Sequence, residues 1–501
     1  MAPLLLFSFV LGYFLLLLGV AMYTARNATN ESFFIGNKNS NWMLVAFGMI
    51  GTSLSGVTFV SVPGTVGNIS WGSFNGFSYF QVVIGYIIGY LVIAYILIPL
   101  YYKLNLTSIY VYLEQRFGRE SYKTGALFFI ISRTFGATAR LFLVINVLQI
   151  FILDEMGVPF VLTTALILGM ILLYTFKGGV KTIVYTDTLQ TTFMLAGLII
   201  CIIYILTHMD LSFSQAIASM KEKGYTRLWI TDLNNKSHVM KNLIGGAVIA
   251  IAMTGLDQEM MQKNISVRNM KDSQKNILTF TTIMVIVNLL FLFLGGLLYL
   301  YVTINGGTYE GNQLLFGGKN VIGDDIFPTI ALFHLPPAIG VIFIIALISA
   351  LFPSADGAIT ALTATFCIDI LGMQRRQDWD EAKKKTIRQR IHIGFALVFL
   401  LFVMVYKWID NPSMIGVILK VAAYTYGPLL GLFTFGIILQ RNVLDKWVPL
   451  VCLLSPLLCL LIDLNQKAIF GSFEIGLELL IINGLITFIG LMLISKKETA
   501  I

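Results

Sequence analysis

Long apolar runs recur from one end of the 501-residue chain to the other, and that recurrence restricts the fold more than any single motif does. A run of about 20 apolar residues crosses the hydrocarbon core of a bilayer as one helix. In lipid each backbone N–H and C=O must be satisfied internally, so the runs predict helices rather than open strands. They lie near residues 4–23, 42–62, 77–101, 123–152, 159–176, 182–207, 241–260, 276–303, 325–371, 391–408, 413–438, 446–465 and 473–495, which makes thirteen transmembrane helices. Composition agrees, with 57% hydrophobic and 12% charged residues and a mean hydropathy of +0.82. The chain reads as an all-α polytopic membrane protein.

Charge fixes an orientation. The first run has no basic residue before it and the first positive charge, Arg26, comes after it, so it reads as an uncleaved helix with its N-terminus outside. On that basis most of the 34 basic residues, among them Lys38, Arg116, Lys263, Arg268, Arg375 and Lys496, fall on the inside. Only Lys221, Lys223, Arg227, Lys236, Lys241, Lys319, Lys407 and Lys467 fall outside. This is the positive-inside pattern, with the C-terminus cytoplasmic; short loops suit a multi-pass protein of a bacterial inner membrane. The net charge of +8 follows from that anchoring and implies no nucleic-acid partner. The basic run from Gln374 to Arg390 reads as an inner-surface segment near anionic lipid.

Other classes find little support. Cys201, Cys367, Cys452 and Cys459 show no paired spacing, and the four histidines show no ligand spacing. No catalytic constellation appears, so the chain does not read as an enzyme. A sensor would need a soluble output module, for which the connecting segments are too short. A channel would need a pore-lining charged ring.

The most informative helix runs from Ile345 to Ile370. It is apolar at both ends, yet its middle carries Pro353, Ser354, Asp356, Gly357, Thr360, Thr363 and Thr365. Proline frees a carbonyl one turn back, and an ionised aspartate at membrane depth costs about 2.5–3.5 kcal/mol unless it faces water, an ion or a partner. Together they offer oxygen ligands for a hard cation; a Pro-kinked packing helix is the plainer reading. Two further spans look interrupted. Residues Gly48 to Gly64 interleave four glycines and a proline with Thr52, Ser53, Ser55, Thr58 and Ser61. Five helices later, the span from Gly245 to Asn264 is interrupted at Thr254 and Gly255. Interruptions in matching positions of two halves point to an inverted-repeat transporter that binds ion and substrate at unwound backbone near the midplane. Arg133 and Arg140 share one helix face, with Lys420 on a later span. Arg133 could snorkel or pair with Asp187 or Asp356, whereas Arg140 and Lys420 lie deeper and suit a cavity for an anion.

Several motifs, in order, resemble the sodium/solute symporter family. Lys177 to Gln190 (KGGVKTIVYTDTLQ) is similar to the start of its fifth core helix. Leu256 to Met270 (LDQEMMQKNISVRNM) resembles the end of its sixth, and the Pro353 helix ending FCIDI resembles its eighth. Leu97 to Gly118 looks like the iodide and multivitamin branch. The resemblance implies the leucine-transporter fold. It places an extra helix at 1–25, five-helix repeats at 42–207 and 241–438, and two added helices at 446–495.

It also implies sites. The family's main sodium site falls on the carbonyls of Gly51 and Leu54 and on Ala350, Pro353 and Ser354; Pro353 departs from the usual hydroxyl residue. Asp356, one turn on, would restore that ligand beside Asp187, or would instead pair with Arg140 or Lys420. Substrate-contacting positions fall on Ser53, Ser55, Thr58, Met253 and Lys420, with Gln81 a weaker candidate. Arg140, 47 residues before Asp187, falls where sialic-acid relatives hold a carboxylate. The resemblance therefore implies a sodium-coupled symporter for a small organic anion such as a sialic or other sugar acid, or a monocarboxylate, with sodium bound and transported and no organic cofactor. A sugar or vitamin symporter and a proton-coupled symporter of the same fold are the alternatives.

Overall fold

The computed structural model describes residues 3–25, 33–34, 40–70, 72–409 and 414–497; Arg26, Lys38 and the connection at 410–413 lie outside these. Its apolar helices, in chain order, begin with α1 (Leu4–Thr24), the bent pair α2 (Trp42–Ser53) and α3 (Gly56–Thr65), α4 (Tyr79–Lys103), α5 (Arg119–Leu153), α6 (Phe160–Phe176) and α7 (Thr182–His208). A second bent pair, α8 (Val239–Gly255) and α9 (Gln258–Ile265), is followed by α10 (Met270–Ile304), α11 (Pro337–Ile370), α12 (Glu381–Trp408), α13 (Ile415–Ile438), α14 (Asp445–Leu464) and α15 (Glu478–Leu493). Among the described residues nine helices are long and apolar enough to span a membrane, or eleven if each bent pair is one span. The expected thirteen is reached only by adding the shorter helices α6 and α15.

Burial separates a core from a rim. The apolar window of α11 is 78% buried and those of α12 and α14 only 28%, so α11 is the central helix while Leu397, Leu401, Leu453 and Leu457 of the other two face outward. That is how the sequence could load α11 with Pro353, Asp356 and three threonines: its neighbours are α7, α5 and the first bent pair, not lipid. Between α6 and α7 the chain turns sharply at Gly179, whose φ of +53° and ψ of −146° favour glycine, and a Cβ there would meet the Phe33 backbone at 2.5 Å. This gives the paired-glycine motif a physical reason.

The start of α5 and the chain around the end of α13 and the start of α14 cap one another. Arg116, just before α5, donates to the carbonyls of Leu439 at 2.6 Å and Arg441 at 3.0 Å, beyond the end of α13. In return Asp445 accepts the first amides of α5, from Glu120 at 2.9 Å and Ser121 at 2.8 Å. A carboxylate at a helix N-terminus and a guanidinium at a C-terminus both oppose the helix dipole, so each cap stabilises the other helix as well as its own segment.

Candidate functional site

The first bent pair turns by 58°. Its ladder of hydrogen bonds stops where the Leu54 amide donates to the Ile50 carbonyl at 2.7 Å, and resumes where the Phe59 amide donates to the Ser55 carbonyl at 3.0 Å. Leu54 (ψ 76°) leaves the helical conformation and Ser55 (ψ 176°) is extended, so the carbonyls of Gly51 to Leu54 and the amides of Gly56 to Thr58 are left without helical partners. Carbonyl oxygens collect at the end of α2 and amides at the start of α3. One end suits a cation and the other an anion.

On the anion side a cavity is lined by Ser53, Leu54, Ser55, Thr58, Arg140 and Met253. Arg140 is partly buried and donates no hydrogen bond within the described residues, and no carboxylate lies within ion-pair distance of it. A guanidinium that shares a cavity with the N-terminal residues of a helix offers donors for a carboxylate. Tyr79, Tyr86 and Tyr90 add hydroxyls, with Tyr79 and Tyr86 in contact at 3.3 Å.

On the cation side, Gly51 packs on α11 and α7: a Cβ in its place would lie 3.5 Å from the Pro353 ring and 2.5 Å from the Thr191 hydroxyl. Glycine is therefore required for the three helices to meet. Pro353 donates no amide hydrogen, which leaves the Ser349 carbonyl without its helical donor. Asp356 and Asp187 are both fully buried. Asp356 accepts from the Tyr174 hydroxyl at 2.6 Å and the Gly357 amide at 2.5 Å. Neither Arg140 nor Lys420 pairs with it, so that alternative does not hold. One oxygen of Asp187 makes no hydrogen bond, and the amide group of Gln190, one turn on, is buried without a partner.

The other oxygen of Asp187 is taken by a residue that the sequence places on the inner surface. Lys263 is 3% exposed on its side chain, and its ammonium donates to Asp187 at 2.7 Å and to the Thr52 hydroxyl at 2.6 Å. Glu259, one turn earlier on α9, lies 3.7 Å from the same ammonium. Arg133 pairs with Glu259, and with Asp257 at 3.7 Å, not with Asp187 or Asp356.

The second bent pair turns by 66°, at Leu256 and Asp257, one to two residues beyond the expected interruption. Here the backbone is occupied. The Tyr101 hydroxyl donates to the Gly255 carbonyl at 2.8 Å and Tyr110 to the Leu256 carbonyl at 3.0 Å. Asp257 accepts the amides of Glu259 and Met260, and its own carboxylate is held by Tyr426 at 2.7 Å.

Two expected substrate residues lie elsewhere. Lys420 is 57% exposed on its side chain and bonds Asp463 at 2.7 Å, in a neighbouring cavity that shares only Tyr79, Ile249 and Leu419 with the first. Gln81 is fully buried and donates to the Leu228 carbonyl at 2.7 Å, outside the Arg140 cavity.

Known proteins match most of the chain. The profile of the Sodium:solute symporter family matches residues 33–443. The sodium/sialic acid symporter of Proteus mirabilis is 24% identical over 447 residues, covering 87% of this chain and 85% of its own. The human sodium-coupled monocarboxylate transporter 1 is 23% identical over 82% of this chain and 64% of its own. The solved structure of a substrate-bound, outward-open sodium-coupled sialic acid symporter superposes with a TM-score of 0.81 at 21% identity, over 98% of this chain and 99% of that one. That likeness shows the shared fold, the inverted-repeat leucine-transporter architecture.

Proposed function

Because the chain belongs to the sodium:solute symporter family, we propose that it couples inward sodium movement to the import of a small organic acid, with sugar acids such as sialic acid the first candidates. The observation that carries the anion is Arg140, a guanidinium with no hydrogen-bond or ion-pair partner in the described residues, lining the same cavity as Ser55, Val57 and Thr58 at the start of α3. Ser53, Ser55 and Thr58 supply hydroxyls around the same acid, and Met253 closes one wall. Sodium takes the carbonyls of Gly51 and Leu54 with Ala350, Ser354 and the carbonyl of Pro353, while Asp187 and Asp356 supply charge. The unpartnered carbonyls at the end of α2 and the free oxygen of Asp187 fit that assignment.

Sodium and acid occupy opposite sides of one break, so each orders the backbone that the other needs and raises the other's affinity by the same factor. The inward fall of sodium supplies about 2.3 kcal/mol per charge per 100 mV, enough for substantial accumulation. The helices from 42–207 and 241–438 form the two repeats that rock about this site, in an inner membrane with the N-terminus outside. Lys420 serves the outer cavity rather than the bound acid.

A thermal-shift screen of the purified protein tests this, since a ligand that binds the native state raises its apparent stability. A sugar acid or monocarboxylate is expected to stabilise only with sodium present. Stabilisation by neutral sugars to the same degree would overturn the anion reading, and a response to pH without one to sodium would point to proton coupling.

A further inference from the structure

Lys263 stands at the Asp187 edge of the proposed cation site. Its ammonium bonds Asp187 at 2.7 Å and Thr52 at 2.6 Å, and so ties α9 to α7 and to the open end of α2. A second carboxylate waits beside it. The Oε1 atom of Glu259 is buried, makes no hydrogen bond and lies 3.7 Å from the ammonium. That oxygen packs onto Gly357, where a Cβ would stand 2.2 Å from it, next to Asp356. The remaining oxygen of Asp187 is likewise buried and unbonded. One ammonium thus has two carboxylates in reach: Asp187, which it bonds, and Glu259, which offers one unbonded oxygen while Arg133 holds the other.

We propose that Lys263 is a tethered cation that holds the Asp187 site closed in the absence of sodium, and that sodium enters by displacing its ammonium from Asp187 to Glu259. The inference rests on the sodium-coupled reading above. Sodium on the free oxygen of Asp187 places a second positive charge beside the ammonium held by the other oxygen, and that repulsion drives the ammonium toward Glu259. The ammonium stays protonated and compensated at both positions, because Glu259 supplies a carboxylate in place of the one given up. Thr52 lies at the end of α2, so the exchange also releases the open break from α9. Lys263 would in this way be a positioning residue that sets how much sodium is needed before the break is free to order around the acid.

Two substitutions move sodium affinity in opposite directions. K263Q removes the competitor; a site closed for nine-tenths of the time weakens apparent binding about tenfold, so the half-saturating sodium concentration should fall by about that factor. K263R keeps the charge, which favours folding, but its fork can grip a carboxylate with two hydrogen bonds and resists displacement. There the half-saturating concentration should rise severalfold. The readout is sodium-dependent thermal stability of purified full-length protein without substrate, against choline at equal ionic strength. Unchanged or weaker sodium binding in K263Q, with K263R like the parent, would make Lys263 a structural strut and overturn the inference while the symporter reading stands. No sodium response in the parent or in either variant would overturn both. A response in K263Q alone would confirm that the lysine keeps the site closed.

Discussion

The two discontinuous spans bend by similar angles, 58° and 66°, yet the protein treats them in opposite ways. At the second, tyrosine hydroxyls cover the carbonyls of Gly255 and Leu256, and Asp257 covers the following amides. At the first, the carbonyls of Gly51 to Leu54 and the amides of Gly56 to Thr58 have no helical partner, and among the described residues no side chain covers them. A backbone break inside a membrane protein leaves several polar groups to be satisfied, each costing kcal/mol if abandoned. A break closed by side chains is a fixed joint. One left open is a place for ligands, and its order depends on their presence.

That contrast makes graded predictions. Arg133→Ala should be the most damaging, because it leaves Asp257 and Glu259 buried beside the second break with a charge removed; a loss of about 3–5 kcal/mol is expected, read as low yield and a lowered apparent Tm. Arg140→Ala, at the open break, should leave ligand-free stability unchanged and weaken acid binding by about tenfold to a hundredfold, since a charged hydrogen-bonded contact contributes roughly 1.5–3 kcal/mol. Tyr101→Phe uncovers the Gly255 carbonyl and should cost about 1–3 kcal/mol. Ser55→Ala is its counterpart at the first break. Ser55 makes no capping hydrogen bond, so stability should change by less than about 0.5 kcal/mol while acid binding falls. Lys420→Met breaks a half-exposed ion pair with Asp463, for which about 0–1 kcal/mol is expected and uptake stays near that of the parent. Equal stability losses for Tyr101→Phe and Ser55→Ala would erase the distinction between the two breaks.

How much of this could be read from the chain depends on the residue. Asp187 and Asp356 announce themselves, because a carboxylate inside an apolar run must face an ion, water or a partner, and the glycines around Gly51 signal a helix that cannot run straight. Lys263 and Glu259 do not. The eight residues of α9 are all buried, but QEMMQKNI is polar enough to read as the start of an inner loop, and Arg268 and Lys271 follow closely. Only the tertiary position, between α2, α7 and α11, shows that these polar side chains satisfy one another. The same holds for Arg133, whose partners lie 126 positions away or nearly so, and for Lys420. Depth in the membrane is legible from hydropathy; which of two adjacent cavities a side chain enters is not, since a rotation of part of a turn decides it.

The capping of α5 by Asp445, at the start of α14, reaches further than its place at the helix ends suggests. Helix α5 is a stiff rod pinned at its first turn by Asp445, and Arg140 stands about 30 Å along it at 1.5 Å per residue. A tilt of about 3° about that pin carries Arg140 sideways by roughly 1.6 Å, more than half a hydrogen-bond length. The start of α14 is thus the fulcrum of a lever whose far arm holds the guanidinium, and a small strain at the fulcrum retunes the reach of that arm.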